Sequence, residues 1–369
     1  MEEFKEQKIL VVGGAGFVGS NLVKKLLEAG PRSVVIVDNL LSAERANVPE
    51  NEAVTFIEGS ITDDRVLESL TNDFDYVFHL ATYHGNQSSM HDPLADHENN
   101  TLTTLKLYER IKGFDRIKRV VYSSAGCTVA EKTYDEAQAT EEDAPVSLYL
   151  DSPYQISKII GELYSNYYFM QHRLPVVKAR FQNVYGPGEI LGAGRWRGTP
   201  ATVWRNVTPT FIYRGLKRMP LTVENQGIAT RDFIFVDDIV RGLMLCATKG
   251  LPGEVYNLAS GVETSIGELA ALVNQETENP TPVENLPPRS WDHSGKRYGS
   301  TEKSKRELGF APGVNLQDGL RRTIAWTREH LSFIDACIEK HREHLAAANA
   351  ATASVQPQQQ QIPQERHSA

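Results

Sequence analysis

A tyrosine and a lysine four positions apart are the residues best suited to acid–base chemistry, in the segment Tyr154-Gln-Ile-Ser-Lys158. The segment is predicted to be helical after Pro153, and residues i and i+4 share one face of a helix. A tyrosine hydroxyl titrates near pH ~10, so it acts as a base at neutral pH only beside a positive charge. Lys158 supplies that charge. Alone, such a pair is more typical of a helix surface, and its meaning depends on its surroundings.

Ser123 and Ser124 add a hydroxyl donor, because they end a β-branched run earlier in the chain. In α/β proteins, sites form where parallel strands end. We therefore expect these serines at the same site as Tyr154 and Lys158. The alternative is a pair of serines that only satisfies a turn at the end of a strand.

A glycine-rich turn, Gly13-Gly14-Ala15-Gly16-Phe17-Val18-Gly19, joins the first predicted strand to a helix. Glycines let the backbone turn tightly and approach a pyrophosphate, which the helix N-terminus also attracts. Asp38 ends the next predicted strand, where a carboxylate can accept hydrogen bonds from an adenosine ribose. Asn39 comes next with no adjacent arginine, and a 2′-phosphate would be repelled by the carboxylate. The sequence therefore predicts NAD rather than NADP.

The elements that must position these residues are short, continuously apolar runs alternating with helical segments. Such runs are typical of strands buried on both faces, and the alternation predicts an α/β fold with a doubly wound parallel sheet. The runs are KILVV at 8–12, SVVIVD at 33–38, VTFIE at 54–58, YVFHL at 76–80, RVVYSS at 119–124 and PVVKARF at 175–181.

The domain boundaries coincide with changes in composition. We predict a dinucleotide-binding domain over 1–185, with 231–260 returning to it, and a smaller substrate-binding α/β domain from 186–230 and 261–347. A further helical segment is expected from Phe333 to Ala347. Residues 348–369 are rich in Gln, Ala and Pro, so we expect a disordered tail that buries too little surface to offset its ordering entropy.

Composition excludes several classes. The chain has 39 Lys and Arg against 47 Asp and Glu, a formal charge of −8, which disfavours a nucleic-acid partner. No apolar run approaches the ~20 residues of a membrane span, so we expect a cytoplasmic protein. Three widely spaced cysteines predict no disulfide framework. The scattered histidines His79, His84, His91 and His97 predict no metal site.

Together these motifs resemble the extended short-chain dehydrogenase/reductase superfamily, in particular nucleotide-sugar epimerases of the UDP-galactose 4-epimerase type. The resemblance runs from about Lys8 to about His330. It rests on GGAGFVG, DNL at 38–40, HLAT at 79–82, DPLADHENNTLTT, SSA at 123–125, YQISK, RFQNVYGPG at 180–188, RDFIFVDD at 231–238 and KSKRELGF at 303–310.

The resemblance implies a Rossmann-like NAD-binding domain, a nucleotide-diphosphate sugar as substrate, and a homodimer. The implied catalytic residues are Ser124, Tyr154 and Lys158. The implied cofactor contacts are Gly13, Gly16, Phe17, Val18, Gly19, Asp38, Asn39, Ala81, Asn100, Tyr154 and Lys158. The implied substrate contacts are Ser124, Asn183, Arg231 and Arg297.

The two residues after Ser124 narrow the choice of reaction. Similar 4,6-dehydratases carry Asp-Glu, and similar decarboxylases a Glu, where this chain has Ala125-Gly126. Without that acid–base group the simplest chemistry is reversible oxidation that inverts a ring carbon, most simply C4. The alternatives are a 3,5-type epimerase using Cys127, a dehydratase or decarboxylase, and a non-catalytic dinucleotide sensor.

Overall fold

The computed structural model describes residues 2–126, 135–288 and 295–354. The strands are β1 (Lys8–Val12), β2 (Ser33–Asp38), β3 (Val54–Glu58), β4 (Tyr76–His79), β5 (Arg119–Ala125), β6 (Ala139–Thr140), β7 (Val176–Phe181), β8 (Asn183–Tyr185), β9 (Thr222–Glu224), β10 (Thr230–Phe235), β11 (Val255–Leu258), β12 (Glu263–Ser265), β13 (Glu284–Leu286) and β14 (Tyr298–Gly299). The helices are α1 (Phe17–Leu27), α2 (Asp64–Ser69), α3 (Asn86–His91), α4 (Pro93–Asp96), α5 (Thr103–Ile111), α6 (Pro153–His172), α7 (Val207–Leu216), α8 (Val236–Thr248), α9 (Ile266–Thr277), α10 (Glu302–Leu308), α11 (Leu316–Glu329), α12 (Leu331–Glu339) and α13 (Arg342–Ser354).

A seven-stranded parallel sheet in the order β11-β7-β5-β4-β1-β2-β3 carries the site. Its central strands are buried on both faces, which is why their sequences are continuously apolar rather than alternating. One face packs under α1 and α8, and the other under α5 and α6. The predicted doubly wound α/β fold is confirmed.

The order of strands reverses between β1, from which the chain proceeds to β2 and β3, and β4, from which it proceeds to β5 and β7. The ends of adjacent strands diverge at such a point and leave a crevice at their carboxyl edge. The glycine-rich turn comes after β1 at this edge, and the serines end β5 at the same edge. The topology alone therefore brings them to one crevice.

A second, three-stranded sheet, β12-β10-β8, begins where the chain leaves the large sheet at Gln182, between β7 and β8. Within the predicted returning segment 231–260, α8 and β11 pack on the large sheet. β10 does not, because it pairs in parallel with β8 and antiparallel with β12. The domain boundaries stay a prediction.

The last two helices cover the loop 186–206. Ile334 and Cys337 of α12 pack against Ile190 and Leu191 of that loop. His341, between the two helices, donates from Nε2 to Gly192 O at 3.0 Å. The helix α13 runs to Ser354, past the boundary at 348 where we expected disorder to begin. No helix in the described part of the chain is long and apolar enough to span a bilayer.

Candidate active site

A cavity of about 840 Å³ opens at the carboxyl edge of the large sheet. Its walls come from the ends of β1, β2, β4 and β5, from α6, and from the loop 186–206. The residues predicted from sequence that line it are Gly13, Gly16, Phe17, Val18, Gly19, Asp38, Asn39, Ala81, Ser124, Tyr154, Lys158, Asn183, Arg231 and Arg297.

The turn after β1 has no room for side chains. Gly13 has φ +85°, and a Cβ there would lie 2.5 Å from the backbone nitrogen of Ala81. A Cβ at Gly19 would lie 2.1 Å from Gly13 O. The turn therefore packs against the residues after β4 and brings the N-terminus of α1 to the cavity, as a pyrophosphate site requires.

Asp38 ends β2 and faces this turn. One carboxylate oxygen accepts from Ala15 N at 3.0 Å and the other from Leu40 N at 2.9 Å. Burial raises the pKa of Asp38, and these backbone N–H groups oppose that effect. Asn39 accepts from Leu41 N at 3.0 Å. The carboxylate is thus fixed at the cavity wall, where ribose hydroxyls would donate to it.

Tyr154 and Lys158 lie one turn apart on α6, which Ser152 caps by accepting from Gln155 N and in which Pro153 is the first residue. The ammonium of Lys158 donates to Ser123 O at 2.9 Å and lies 5.9 Å from the centre of the Tyr154 ring. Lys158 is buried, so its charge is felt at short range with little screening by water.

Ser124 makes a contact that the sequence does not predict. Its hydroxyl donates to Glu162 Oε1 at 2.5 Å, one turn beyond Lys158 on α6. Glu162 is held by a bidentate ion pair with Arg180 of β7, with both N–O distances at 2.8 Å. Because its proton is given to Glu162, Ser124 presents acceptor lone pairs toward the cavity.

Asn183, Arg231 and Arg297 also line the cavity. Arg231 donates from Nη1 to Thr230 O at 2.7 Å and to Gly295 O at 2.9 Å, which fixes its guanidinium. The backbone N–H of Arg297 donates to Thr230 Oγ1 at 3.0 Å. Its buried Nη1 has no hydrogen-bond partner within the described residues. Both arginines therefore line the cavity and contact Thr230.

Asn100 does not line the cavity, although we expected it among the cofactor contacts. It is buried in a π-helical turn, His97–Leu102, between α4 and α5. Its Oδ1 accepts from Tyr83 N at 2.7 Å and its Nδ2 donates to Ser157 Oγ at 3.1 Å. Asn100 thus ties the segment after β4 to α6 and supports the wall from behind. Cys127 lies outside the described residues.

The loop 186–206 contributes residues that no motif indicated. Glu189 and Arg205 line the cavity, and burial raises the pKa of Glu189 to about 7 despite the charge of Arg205. Gly194 N donates to Glu44 Oε1 at 2.9 Å, and Arg205 Nη1 donates to Ser42 O at 3.0 Å. The loop is therefore bonded to the segment beyond Asp38. Among the described residues, no cluster of three or more His, Cys, Asp or Glu is arranged to hold a metal ion.

Known proteins share this fold. The model of the NAD dependent epimerase/dehydratase family matches residues 9–259. The chain belongs to this family. The resemblance to nucleotide-sugar epimerases is confirmed, and so is NAD as the cofactor. The glycine turn and Asp38 fit that cofactor, since a dinucleotide needs a turn without side chains and a carboxylate at the ribose.

Three relatives in the epimerase/dehydratase family show its range. The Bordetella bronchiseptica enzyme WbmF, crystallised with NAD+ and UDP, is 61% identical, with a TM-score of 0.85 over 94% of this chain and 99% of that one. UDP-glucose 4-epimerase of Mycolicibacterium smegmatis is 33% identical over 328 residues, 87% of this chain and 98% of that protein. UDP-N-acetyl-alpha-D-glucosaminuronate decarboxylase of Bacillus cytotoxicus is 29% identical over 331 residues, 88% and 98% of the two proteins. The chain is an NAD-dependent enzyme of a family that includes both epimerases and decarboxylases.

Proposed function

We propose that the chain epimerises a nucleotide-diphosphate sugar, inverting one ring carbon, most simply C4, through a keto-sugar and its re-reduction. The observation that carries the proposal is the meeting of Tyr154, Lys158 and Ser124 on one wall of the cavity. Arg231 and Arg297 line the same cavity and would bind a diphosphate there. The named reactions of the epimerase relatives support the proposal.

Each residue of this wall has its own role in the proposed reaction. Tyr154 takes the proton from a sugar hydroxyl and returns it to the ketone oxygen, with Lys158 stabilising its phenolate. Ser124 donates its own proton to Glu162, so it orients the sugar by accepting from a neighbouring hydroxyl rather than from the one that Tyr154 deprotonates. Bound NAD supplies a reversible hydride acceptor and ends each turnover as it began. Inversion requires only that the sugar present its other face before re-reduction.

Arg231 and Arg297 are assigned to the diphosphate of the substrate, with Asn183 beside them. A guanidinium donates two parallel hydrogen bonds to phosphate oxygens, and Arg231 is already oriented by two backbone carbonyls. Anchoring the nucleotide at these arginines leaves the sugar extending toward Tyr154. The sugar can then rotate to present its other face while its nucleotide stays bound.

The residues after Ser124 disfavour dehydration and decarboxylation. Ala125 and Gly126 carry no acid or base, and a Cβ at Gly126 would lie 2.0 Å from Gln182 Nε2. A glutamate at that position would require the Gln182 side chain to move. Oxidation and re-reduction need no such group.

The test is a panel of UDP-, GDP-, dTDP- and CDP-sugars incubated with the holoenzyme, with the products separated by chromatography. We expect one epimer pair to interconvert and, in deuterated water, no deuterium on carbon. Deuterium beside the former ketone, together with an inactive Cys127→Ser variant, would replace the proposal with a 3,5-type epimerase. Absence of turnover across the panel would favour a dinucleotide sensor.

A further inference from the structure

His84, two residues beyond the HLAT motif, lies on the cavity wall beside Tyr154. Its imidazole meets the Tyr154 ring edge-on, with ring centres 5.7 Å apart and planes at 70°. A sugar that brings a hydroxyl to Tyr154 therefore passes within reach of this imidazole. None of the motifs indicates His84.

The backbone of His84 is fixed by a residue from the loop 186–206. Arg197 donates from Nη1 to His84 O at 2.8 Å, and its guanidinium lies 5.3 Å from the centre of the Tyr83 ring. Arg197 is only 5% exposed. Its Nε and Nη2 are buried without a hydrogen-bond partner in the described part of the chain, so the bond to His84 O is the contact that offsets part of its desolvation cost.

The imidazole is neutral. Burial, followed by the positive charges of Arg197, Arg205 and Lys158, lowers the pKa of His84 to about 3. A neutral imidazole carries one N–H donor and one acceptor nitrogen, which suits hydroxyl and carbonyl groups alike. It is a poor base at this pKa, so its contribution is a hydrogen bond rather than proton removal.

Two neighbouring polar groups on this wall, Ser124 and Lys158, already donate to other residues of the protein. Ser124 gives its proton to Glu162, and Lys158 donates to Ser123 O. A ketone oxygen needs a donor, and a hydroxyl needs either a donor or an acceptor. His84 supplies both beside Tyr154.

We infer that His84 is a further catalytic residue, whose imidazole hydrogen-bonds the sugar beside the carbon presented to Tyr154, and that Arg197 is its positioning residue. The inference rests on the proposed function, since it assigns His84 to the sugar of that substrate. It assigns no role in binding NAD or the nucleotide.

The first experiment compares His84→Phe with His84→Gln as NAD-loaded holoenzymes. Phenylalanine keeps a flat ring against Tyr154 but makes no hydrogen bond, so we expect kcat/KM to fall by about 10- to 100-fold. Glutamine keeps a donor and an acceptor and should recover part of that loss. The control is His330→Phe, because His330 stacks on Trp326 at the surface. Activity of His84→Phe within about threefold of the wild type would overturn the inference.

Calorimetry separates this inference from the proposed function. UDP and UDP-glucose are titrated into wild-type and His84→Phe holoenzymes, whether or not the wild type turns over a sugar. We expect the wild type to bind UDP-glucose more tightly than UDP. The variant should lose this difference in affinity while binding UDP as tightly as the wild type does. Equal loss for both ligands, no loss for either, or a wild type that binds them equally would each overturn the inference. Failure of the wild type to convert any sugar would count against the proposed function alone.

Arg197 is tested by the pH dependence of kcat/KM. Arg197→Gln removes one of the positive charges facing His84, leaving Arg205 and Lys158, so the pKa of His84 should rise toward its ordinary value near ~6.5. The acid limb of the profile should then move to higher pH, and Arg197→Lys, which keeps the charge, should move it less. An acid limb in the glutamine variant that coincides with that of the wild type would overturn the positioning role.

Discussion

At the scale of single residues, the proposed proton transfer depends on the hydroxyl of Tyr154. Tyr154→Phe keeps the ring that packs against His84 and removes the proton acceptor. We expect kcat to fall by about 10²- to 10⁴-fold, the usual span for a positioned acid or base, while NAD and substrate still bind. Steady-state kinetics and cofactor content measure the two effects.

A matched control for this change lies on the same helix. Tyr164→Phe removes a hydroxyl from a tyrosine of α6 that packs against the core beneath the sheet and does not line the cavity. We expect it to retain nearly full activity. If Tyr154→Phe were as active as Tyr164→Phe, another group would have to be the base.

Retention of NAD is predicted to depend on Asp38. Asp38→Ala removes the carboxylate that would accept from the adenosine ribose, so we expect NAD affinity to fall by about 10- to 100-fold with the fold intact. The measurement is the NAD released per chain on denaturing the purified protein. Asp64→Ala, at an exposed position on α2, is the control. A full complement of NAD in the Asp38 variant would contradict the assignment.

Some site residues can be predicted from sequence and others cannot. The glycine turn and the Tyr154–Lys158 pair each fall within one turn or one helix, and Asp38 ends the strand that follows the turn. The Ser124–Glu162–Arg180 chain joins β5, α6 and β7, and no spacing along the sequence relates those residues. In the sequence His84 is only one of four scattered histidines, because its neighbours Tyr154 and Arg197 come from distant segments.

At the scale of elements, the close packing of α6 against β5 determines where Tyr154 and Lys158 lie relative to Ser124. A Cβ at Gly161 would lie 2.0 Å from the hydroxyl of Tyr122, which is buried in β5. Gly161→Ala should therefore push α6 outward and carry Tyr154 and Lys158 away from Ser124. We expect the free energy of unfolding to fall by about 1–3 kcal/mol, the usual cost of overpacking, and kcat to fall with it.

Denaturant unfolding and steady-state kinetics measure the effect of Gly161→Ala. The control is Gly113→Ala, because nothing lies within 4 Å of a Cβ at Gly113 and its φ is not positive. Gly161→Ala with the stability and rate of the control would show that α6 tolerates a wider spacing.

Element prediction succeeds where strands are long and buried. The bounds of β1 and β2 agree with the apolar runs because these strands are buried on both faces of the sheet. The bounds of β3 agree as well, although β3 is an edge strand that is only partly buried. The three-residue strands β8 and β12 carry no such signal, so the sequence does not predict the second sheet. Only pairing with distant partners defines strands that short.

At the scale of the whole molecule, an apolar stripe on α6 predicts self-association. Ile156, Leu163, Tyr167 and Met170 lie on the outer face of the helix, 45–61% exposed, opposite its buried face. We propose that two copies pair through this face, with α4 and α5 alongside. Leu163→Asp would bury a charge there, so sedimentation at micromolar concentration should show a monomer where the wild type is a dimer.

The control for the assembly is Leu251→Asp, because Leu251 is 56% exposed in the turn after α8, away from the stripe. It should sediment like the wild type. A wild type that sediments as a monomer, or a Leu163→Asp variant that stays dimeric, would show that the stripe is not a dimer interface.

The cover formed by α12 and α13 also has a consequence for how the chain can be shortened. The helix α12 packs on Ile190 and Leu191 of the loop 186–206, and the same loop carries Arg197 and Arg205. A chain cut after α11 would present that apolar surface to water. We expect the truncated protein to be poorly soluble and to aggregate on expression, before its activity can be assayed.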